Sequence, residues 1–309
     1  EIGDDATIHL AILRHIAVLS NKFLPTASLP LVAEIFTSLL PPSPSPASDA
    51  ILLPQTIKTL FWLGKALVLR LAPSTPTILS SLVSLLSSPD KLTAQTAARG
   101  FRILLAPDEV LSTANGANIR LLAKQRVFTT VVPLIAAKIR ETGPTETTSS
   151  HVKPAHLAAL AGILPFLPPD IIIPDLPTLL PLLLGSLDLD IDEKAGNNTD
   201  EDDDPSAALP LIKTASLDTL AAIIRTNGVG AIDKSGHVPD LVRRLLRIAS
   251  SSSASSSSSA SDNAQPRQKK AKAVLAHAKV REAALRCLQL LAVSSSASTS
   301  APADLDAAL

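Results

Sequence analysis

The chain has 309 residues, of which 46% are hydrophobic but only 2% aromatic (six Phe, one Trp, no Tyr), so its apolar content is mostly Leu, Ala, Ile and Val. That mixture packs helix against helix and leaves little for stacking bases or caging an aromatic ligand. Twenty-eight Lys and Arg balance 28 Asp and Glu, which excludes a general polyanion binder, and the single cysteine, Cys287, excludes a disulfide framework or a thiolate zinc site and suits a reducing compartment.

No stretch alternates strictly enough to mark a strand, whereas helical spacing recurs from end to end. The sequence starts at Glu1 and contains no Met, as expected of an excerpt or processed piece of a longer chain, and residues 1–25 lack the pattern of a signal peptide. Helices are predicted over 6–22 and 28–40, followed by a stiff linker at 41–50 that opens Pro41-Pro42-Ser43-Pro44. Over 53–71, Ile57, Leu60, Phe61, Gly64, Leu67, Val68 and Leu71 keep helical spacing with further apolar residues between them. This helix reads as buried on more than one side.

Further helices are predicted at 76–87, 91–105, 107–120, 124–140 and 154–166. The apolar region Ala155–Leu187 carries Asp170, Asp175 and six prolines, too many interruptions for a bilayer-spanning helix. It reads as two buried helices, the second at 174–187, joined by a turn. An acidic loop at 188–206 holds nine Asp or Glu and one Lys, and helices at 208–226 and 237–250 follow. A Ser/Ala tract at 250–266 and the tail 294–309 read as flexible segments around a last helix at 273–293.

A repeat organises these helices. Those opening near Ser28, Pro76, Lys124, Pro174 and His237 are spaced by 48, 48, 50 and 63 residues, the last interval containing the acidic insertion. Each is followed by a second helix. A helical hairpin of this length cannot hide its apolar face alone and must stack on copies of itself. The expected fold is therefore all-α, an α-solenoid of HEAT/armadillo-type hairpins with about five to six repeats over residues 1–293.

Motifs for chemistry are weak. Gly228-Val229-Gly230-Ala231-Ile232-Asp233-Lys234-Ser235 has Asp233 where a phosphate-binding loop needs Gly, so it reads as an interhelical turn. Asp188, Asp190 and Asp192 begin like a calcium loop, but Glu193 and Thr199 stand where Gly and Glu are required. His9/His15 and His151/His156 are six and five residues apart, off a common helix face. Cys287 lies on an apolar stripe, as a buried inert thiol does. No catalytic residue, cofactor or metal site is expected, and the chain does not read as an enzyme. Arg267-Gln268-Lys269-Lys270-Ala271-Lys272 is either a nuclear-import signal or the solvated start of the last helix. Arg243, Arg244 and Arg247, with Arg281 and Arg286, form either solvated faces and ion pairs or a docking surface for an acidic partner.

Five blocks occur in a fixed order. They are Trp62-Leu63-Gly64-Lys65-Ala66-Leu67-Val68-Leu69-Arg70; Gly100-Phe101; Ile119-Arg120 leading to Gln125-Arg126-Val127-Phe128 and Pro133; Leu176-Pro177-Thr178-Leu179-Leu180-Pro181-Leu182-Leu183; and Val280-Arg281-Glu282-Ala283-Ala284-Leu285-Arg286-Cys287. Together, over roughly residues 5–293, they resemble the C-terminal HEAT region of the MMS-nineteen family, scaffolds of cytosolic iron–sulfur cluster targeting linked to nucleotide excision repair and transcription.

The resemblance implies a non-enzymatic adaptor, cytoplasmic and nuclear. Its partners would be a WD40-propeller assembly factor and a small MIP-eighteen-type subunit. Through the full scaffold it would serve iron–sulfur apoproteins such as helicases, polymerases and primase. Membrane attachment and direct nucleic-acid binding are not expected. A rival reading is a karyopherin-like transport module or a nucleic-acid-associated repair-complex arm. The partner-binding candidates are Lys65, Arg70, Arg126, Phe128, Arg243, Arg244, Arg247 and Arg281, since Arg and aromatic residues lead interface energetics. Lys65 and Arg70 have an alternative as inter-repeat ion pairs with an acid such as Asp90 or Glu109, and Arg126 with Phe128 as a cap-and-core pair.

Overall fold

The computed structural model describes residues 2–19, 23–40, 53–108, 119–141, 151–189, 205–227, 229–234, 236–250 and 264–299, and among these there is no strand. The linker at 41–50, most of the acidic loop, the centre of the Ser/Ala tract and the end of the tail lie outside the described residues, as does 109–118, most of the helix expected at 107–120. The chain divides into two compact units, Glu1–Ile171 and Ile172–Leu309.

The first unit contains α1 (Ile2–Val18), α2 (Leu29–Leu39), α3 (Pro54–Leu69), α4 (Thr75–Ser84), α5 (Lys91–Leu105), α6 (Leu121–Glu141) and α7 (Val152–Ile163). Proline starts several of them. Pro30, Pro54 and Pro76 sit in the first two helical positions, where a missing N–H costs nothing and a fixed φ is already helical. Asp90 starts α5 differently, its carboxylate accepting from the Thr93 N–H at 2.7 Å.

Odd-numbered helices pack side by side, α1 on α3, α3 on α5 and α5 on α7, while α2 and α4 pack on α3, and α6 packs on α4 and α7. The helices expected at Ser28, Pro76 and Lys124 are α2, α4 and α6, and each is followed by its partner in the odd layer. With neighbours in both layers, α3 buries every residue from Leu60 to Leu69. Leu13 and Ala17 of α1 pack on Trp62, Ala66 and Leu69, and Phe61 meets Phe101 edge-on at 5.1 Å. Burying a Leu or Phe contributes roughly 1.5–3 kcal/mol each, which is what sets the register between hairpins.

In the apolar stretch that follows, prolines divide the chain into a 3-10 turn at Leu164–Phe166, a short α8 (Pro169–Ile172), another 3-10 turn and α9 (Leu176–Leu187). Residues 169–187 are long and apolar enough to cross a membrane by composition. In the fold they are broken, and α9 buries Leu176, Leu179, Leu180, Leu183, Leu184 and Leu187.

The second unit continues with α10 (Pro205–Asn227), α11 (Gly230–Asp233), α12 (Val238–Ser250) and α13 (Ala264–Thr299). Here α10 packs on α13, and α9 packs on both α10 and α12, which repeats the two-layer pattern. The helices expected at Pro174 and His237 are α9 and α12. Two boundaries differ from expectation. α13 extends back to Ala264 and on to Thr299, into segments read as flexible; at its N-terminal end Ala, Gln, Lys and Arg are residues of high intrinsic helix propensity. The Gly-rich turn at 228–235 contains the single helical turn α11.

Candidate partner-binding surfaces

In the first unit, three of the cationic candidates turn inward to backbone carbonyls. Lys65, on α3, is 2% exposed. Its ammonium donates to the carbonyl oxygens of Ile103 at 2.9 Å and Ala106 at 2.6 Å, acceptors that the end of α5 leaves without helical partners. The Trp62 ring lies 5.4 Å away. Burial lowers its pKa from 10.5 to about 8, with the Asp108 carboxylate opposing that and the Arg14 guanidinium adding to it.

Lys65 is therefore a helix-end cap, not a surface contact. Asp90 does not pair with it, being the cap of α5, and Glu109 lies outside the described residues. Lys65 lines a cleft of about 230 Å³ with Trp62, Arg99, Arg102 and Asp108, beside the Arg14–Asp108 ion pair at 2.8 Å.

Arg70 ends α3 and reaches back to the chain entering α2, donating to the Leu24 carbonyl at 2.9 Å and the Thr26 hydroxyl at 3.2 Å. Arg126, on α6, donates to the Leu71 carbonyl at 3.0 Å. Phe128 is 2% exposed on the inner side of α6. A ring so placed offers nothing to a partner, so the core half of the cap-and-core alternative holds for Phe128, and the exposed anchor is corrected.

In the second unit the cationic candidates Arg243, Arg247 and Arg281 are exposed and Arg244 is half-buried. α12 buries Leu241, Leu245 and Ile248 on one face and turns its arginines away from it. Arg244 donates through Nε to Asp188 Oδ2 at 2.8 Å, and Arg247 through a terminal nitrogen to Asp188 Oδ1. Arg243 pairs with Asp240 at 3.1 Å. Asp188 closes the C-terminus of α9, so the three arginines and two carboxylates bracket an open depression of about 260 Å³. Arg281 is exposed on α13, where Arg286 pairs with Glu282 at 3.0 Å.

The remaining chemical candidates are placed as structural groups. His156 is buried, and its Nδ1 lies 2.8 Å from the Val152 carbonyl. The His151 ring is 3.0 Å from the Ser88 carbonyl. Cys287 is fully buried and donates to the Leu217 carbonyl at 3.2 Å. Burial, and then the charge of Asp218, push its thiol up to about 12.

Paired helices in two layers, repeated through both units, define an all-α protein of the tandem helical-repeat class. Within that class the chain belongs to the family described as RNAPII transcription regulator C-terminal, which it matches over residues 3–292.

It is 37% identical over 134 residues to the human protein named "MMS19 nucleotide excision repair protein homolog", an alignment covering 43% of this chain and 12% of that protein. The Dictyostelium discoideum protein of the same name is 25% identical over 193 residues, 62% of this chain and 15% of the relative. The "DNA repair/transcription protein mms19" of Schizosaccharomyces pombe is 30% identical over 133 residues, 43% of this chain and 12% of the relative. The matched stretch thus spans well under a fifth of the length of these curated relatives.

Proposed function

We propose that this chain is a non-enzymatic docking region of a repair- and transcription-associated scaffold. It holds the propeller and MIP-eighteen-type subunits that deliver iron–sulfur clusters to DNA-processing apoproteins. The observation that carries this reading is the family match over residues 3–292, which coincides with the helical repeats and includes the blocks that resemble the scaffold's C-terminal region. The names of the relatives, for nucleotide excision repair and transcription, agree with it. Tandem hairpins suit such work, because each adds side chains to an extended surface without having to enclose a pocket.

The cluster is cargo. It stays with the partner subunits and the client, and Cys287, buried and protonated, takes no part in holding it. A scaffold serving such clients works in cytoplasm and nucleus alike.

The test is affinity purification of the full chain from cells, with mass spectrometry of what accompanies it. Propeller and MIP-eighteen-type subunits together with iron–sulfur apoproteins are the expected companions. Capture of neither subunit, or a salt-sensitive shift of plain duplex DNA in their place, overturns the reading.

A further inference from the structure

The solvent face of α12 combines charge with an exposed leucine. Arg243, Leu246, Arg247 and Ser250 follow one another at helical spacing opposite the buried Leu241, Leu245 and Ile248. The Arg243 side chain is 79% exposed and that of Arg247 64%, and Leu246 between them is 54% exposed.

In this structure a carboxylate already sits on that helix: Asp188 accepts from both Arg244 and Arg247. Each guanidinium has five N–H donors in a planar fork, and the bonds to Asp188 and Asp240 engage only part of that set. Asp188 and its arginine partners are solvated, and pairs of that kind are held weakly enough to be exchanged.

We infer that α12 is the docking site for an acidic segment of a partner protein, one that carries an apolar side chain for Leu246 and carboxylates that displace Asp188 from Arg244 and Arg247. This rests on the docking reading above and names the surface and the chemistry it uses. Charge complementarity picks an anionic partner. Leu246 picks a protein over a nucleic acid, since a phosphate backbone gives an exposed leucine nothing to bury against, while an acidic helix or strand supplies both. The depression between the arginines, about 260 Å³ and open to solvent, has room for acidic side chains beside Arg243, Arg244 and Arg247.

The experiment uses the full chain and a fluorescent peptide alternating Glu with Leu, read by anisotropy. Arg243→Glu with Arg247→Glu is expected to weaken binding about tenfold or more, because both reversals face the bound carboxylates. Leu246→Ser is expected to weaken it by about threefold, and Asp188→Asn to tighten it by a similar factor by removing the internal competitor.

The Asp188→Asn result distinguishes a binding site from a surface whose loss only harms folding, since a misfolded chain does not gain affinity. Equal affinity of wild type, Asp188→Asn and the double reversal overturns the inference. So does duplex DNA that displaces the peptide while binding Leu246→Ser as well as wild type. Loss of the propeller and MIP-type companions with peptide binding intact sinks the partner identities alone. Retained companions with no peptide response sink this surface alone.

Discussion

The Arg126 guanidinium, projecting from α6, donates to the carbonyl of Leu71 at 3.0 Å, and Leu71 is the non-glycine residue with positive φ, +55°, among those described. Leu71 follows the end of α3 in a Schellman arrangement. Its own N–H bonds to the Val68 carbonyl at 3.1 Å, and the Ala72 N–H reaches the Leu67 carbonyl at 3.0 Å. That position ordinarily takes glycine, because a Cβ there costs roughly 1–2 kcal/mol.

Replacing Leu71 with Gly should change stability by less than about 1 kcal/mol, the relieved strain offsetting the entropy and packing lost. Arg126→Ala should cost about 1–2 kcal/mol in the wild type and less in the Leu71→Gly background, where the turn no longer needs an external brace. Urea unfolding of the four proteins measures the coupling. Strict additivity would show that Arg126 does not support the turn.

Lys65 makes stability depend on pH in a direction opposite to the usual paired lysine. Its folded pKa, about 8, lies below its ordinary 10.5, so below about pH 8 both states are protonated and the folded state bears the whole cost of burying the charge. Between those values the unfolded chain binds more protons, and stability rises with pH. The full effect is about 3 kcal/mol.

Cys287 acts the other way. Its thiol is pushed from 9.0 up to about 12, so its contribution is complete below pH 9 and is lost as pH climbs towards 12. The comparison that isolates Lys65 is wild type against Lys65→Met, both retaining Cys287. From about pH 7.5 to about pH 10 the unfolding free energy of wild type should gain about 2 kcal/mol on the variant. A difference that does not change with pH would mean that Lys65 is solvated.

The hairpins were legible because burial leaves a periodic trace. The starts near Ser28, Pro76, Lys124, Pro174 and His237 correspond to α2, α4, α6, α9 and α12, and the unusual density of apolar residues around Phe61 did mean burial in two layers. The roles of the cations were not legible. Lys65, Arg70 and Arg126 donate to carbonyls of Ile103, Ala106, Leu24 and Leu71, and a main-chain carbonyl belongs to every residue type, so no side-chain pattern announces it. The α12 arginines were easier to read, because their partners Asp188 and Asp240 are side chains and their face repeats every three to four residues.

Glycines offer a contrast in how closely neighbouring helices approach. A Cβ at Gly100, on α5, would run into the ring of Phe61, itself locked against Phe101. Gly100→Ala must push α5 from α3 or move a buried ring, and about 2–3 kcal/mol of stability should be lost. At Gly185, on α9, nothing lies within 4 Å of the same atom. There the substitution removes only backbone freedom from the unfolded chain, and a gain of about 0.5–1 kcal/mol is expected. Thermal melts of the two variants should shift in opposite directions, and a shared direction would contradict the close contact of α3 with α5.

Phe128 and Arg281 separate stability from recognition. Phe128 is fully packed on α6, so Phe128→Ala leaves a cavity worth about 3–5 kcal/mol, enough to use up much of a domain's margin. Arg281 is exposed on α13, so Arg281→Glu should change stability by no more than about 0.5 kcal/mol. Partner capture, scaled to the folded fraction by circular dichroism, should be unaltered for Phe128→Ala. For Arg281→Glu it should fall, α13 sharing the docking surface with α12. Capture by Arg281→Glu at the wild-type level would confine that surface to α12, where Arg243 and Arg247 flank Leu246.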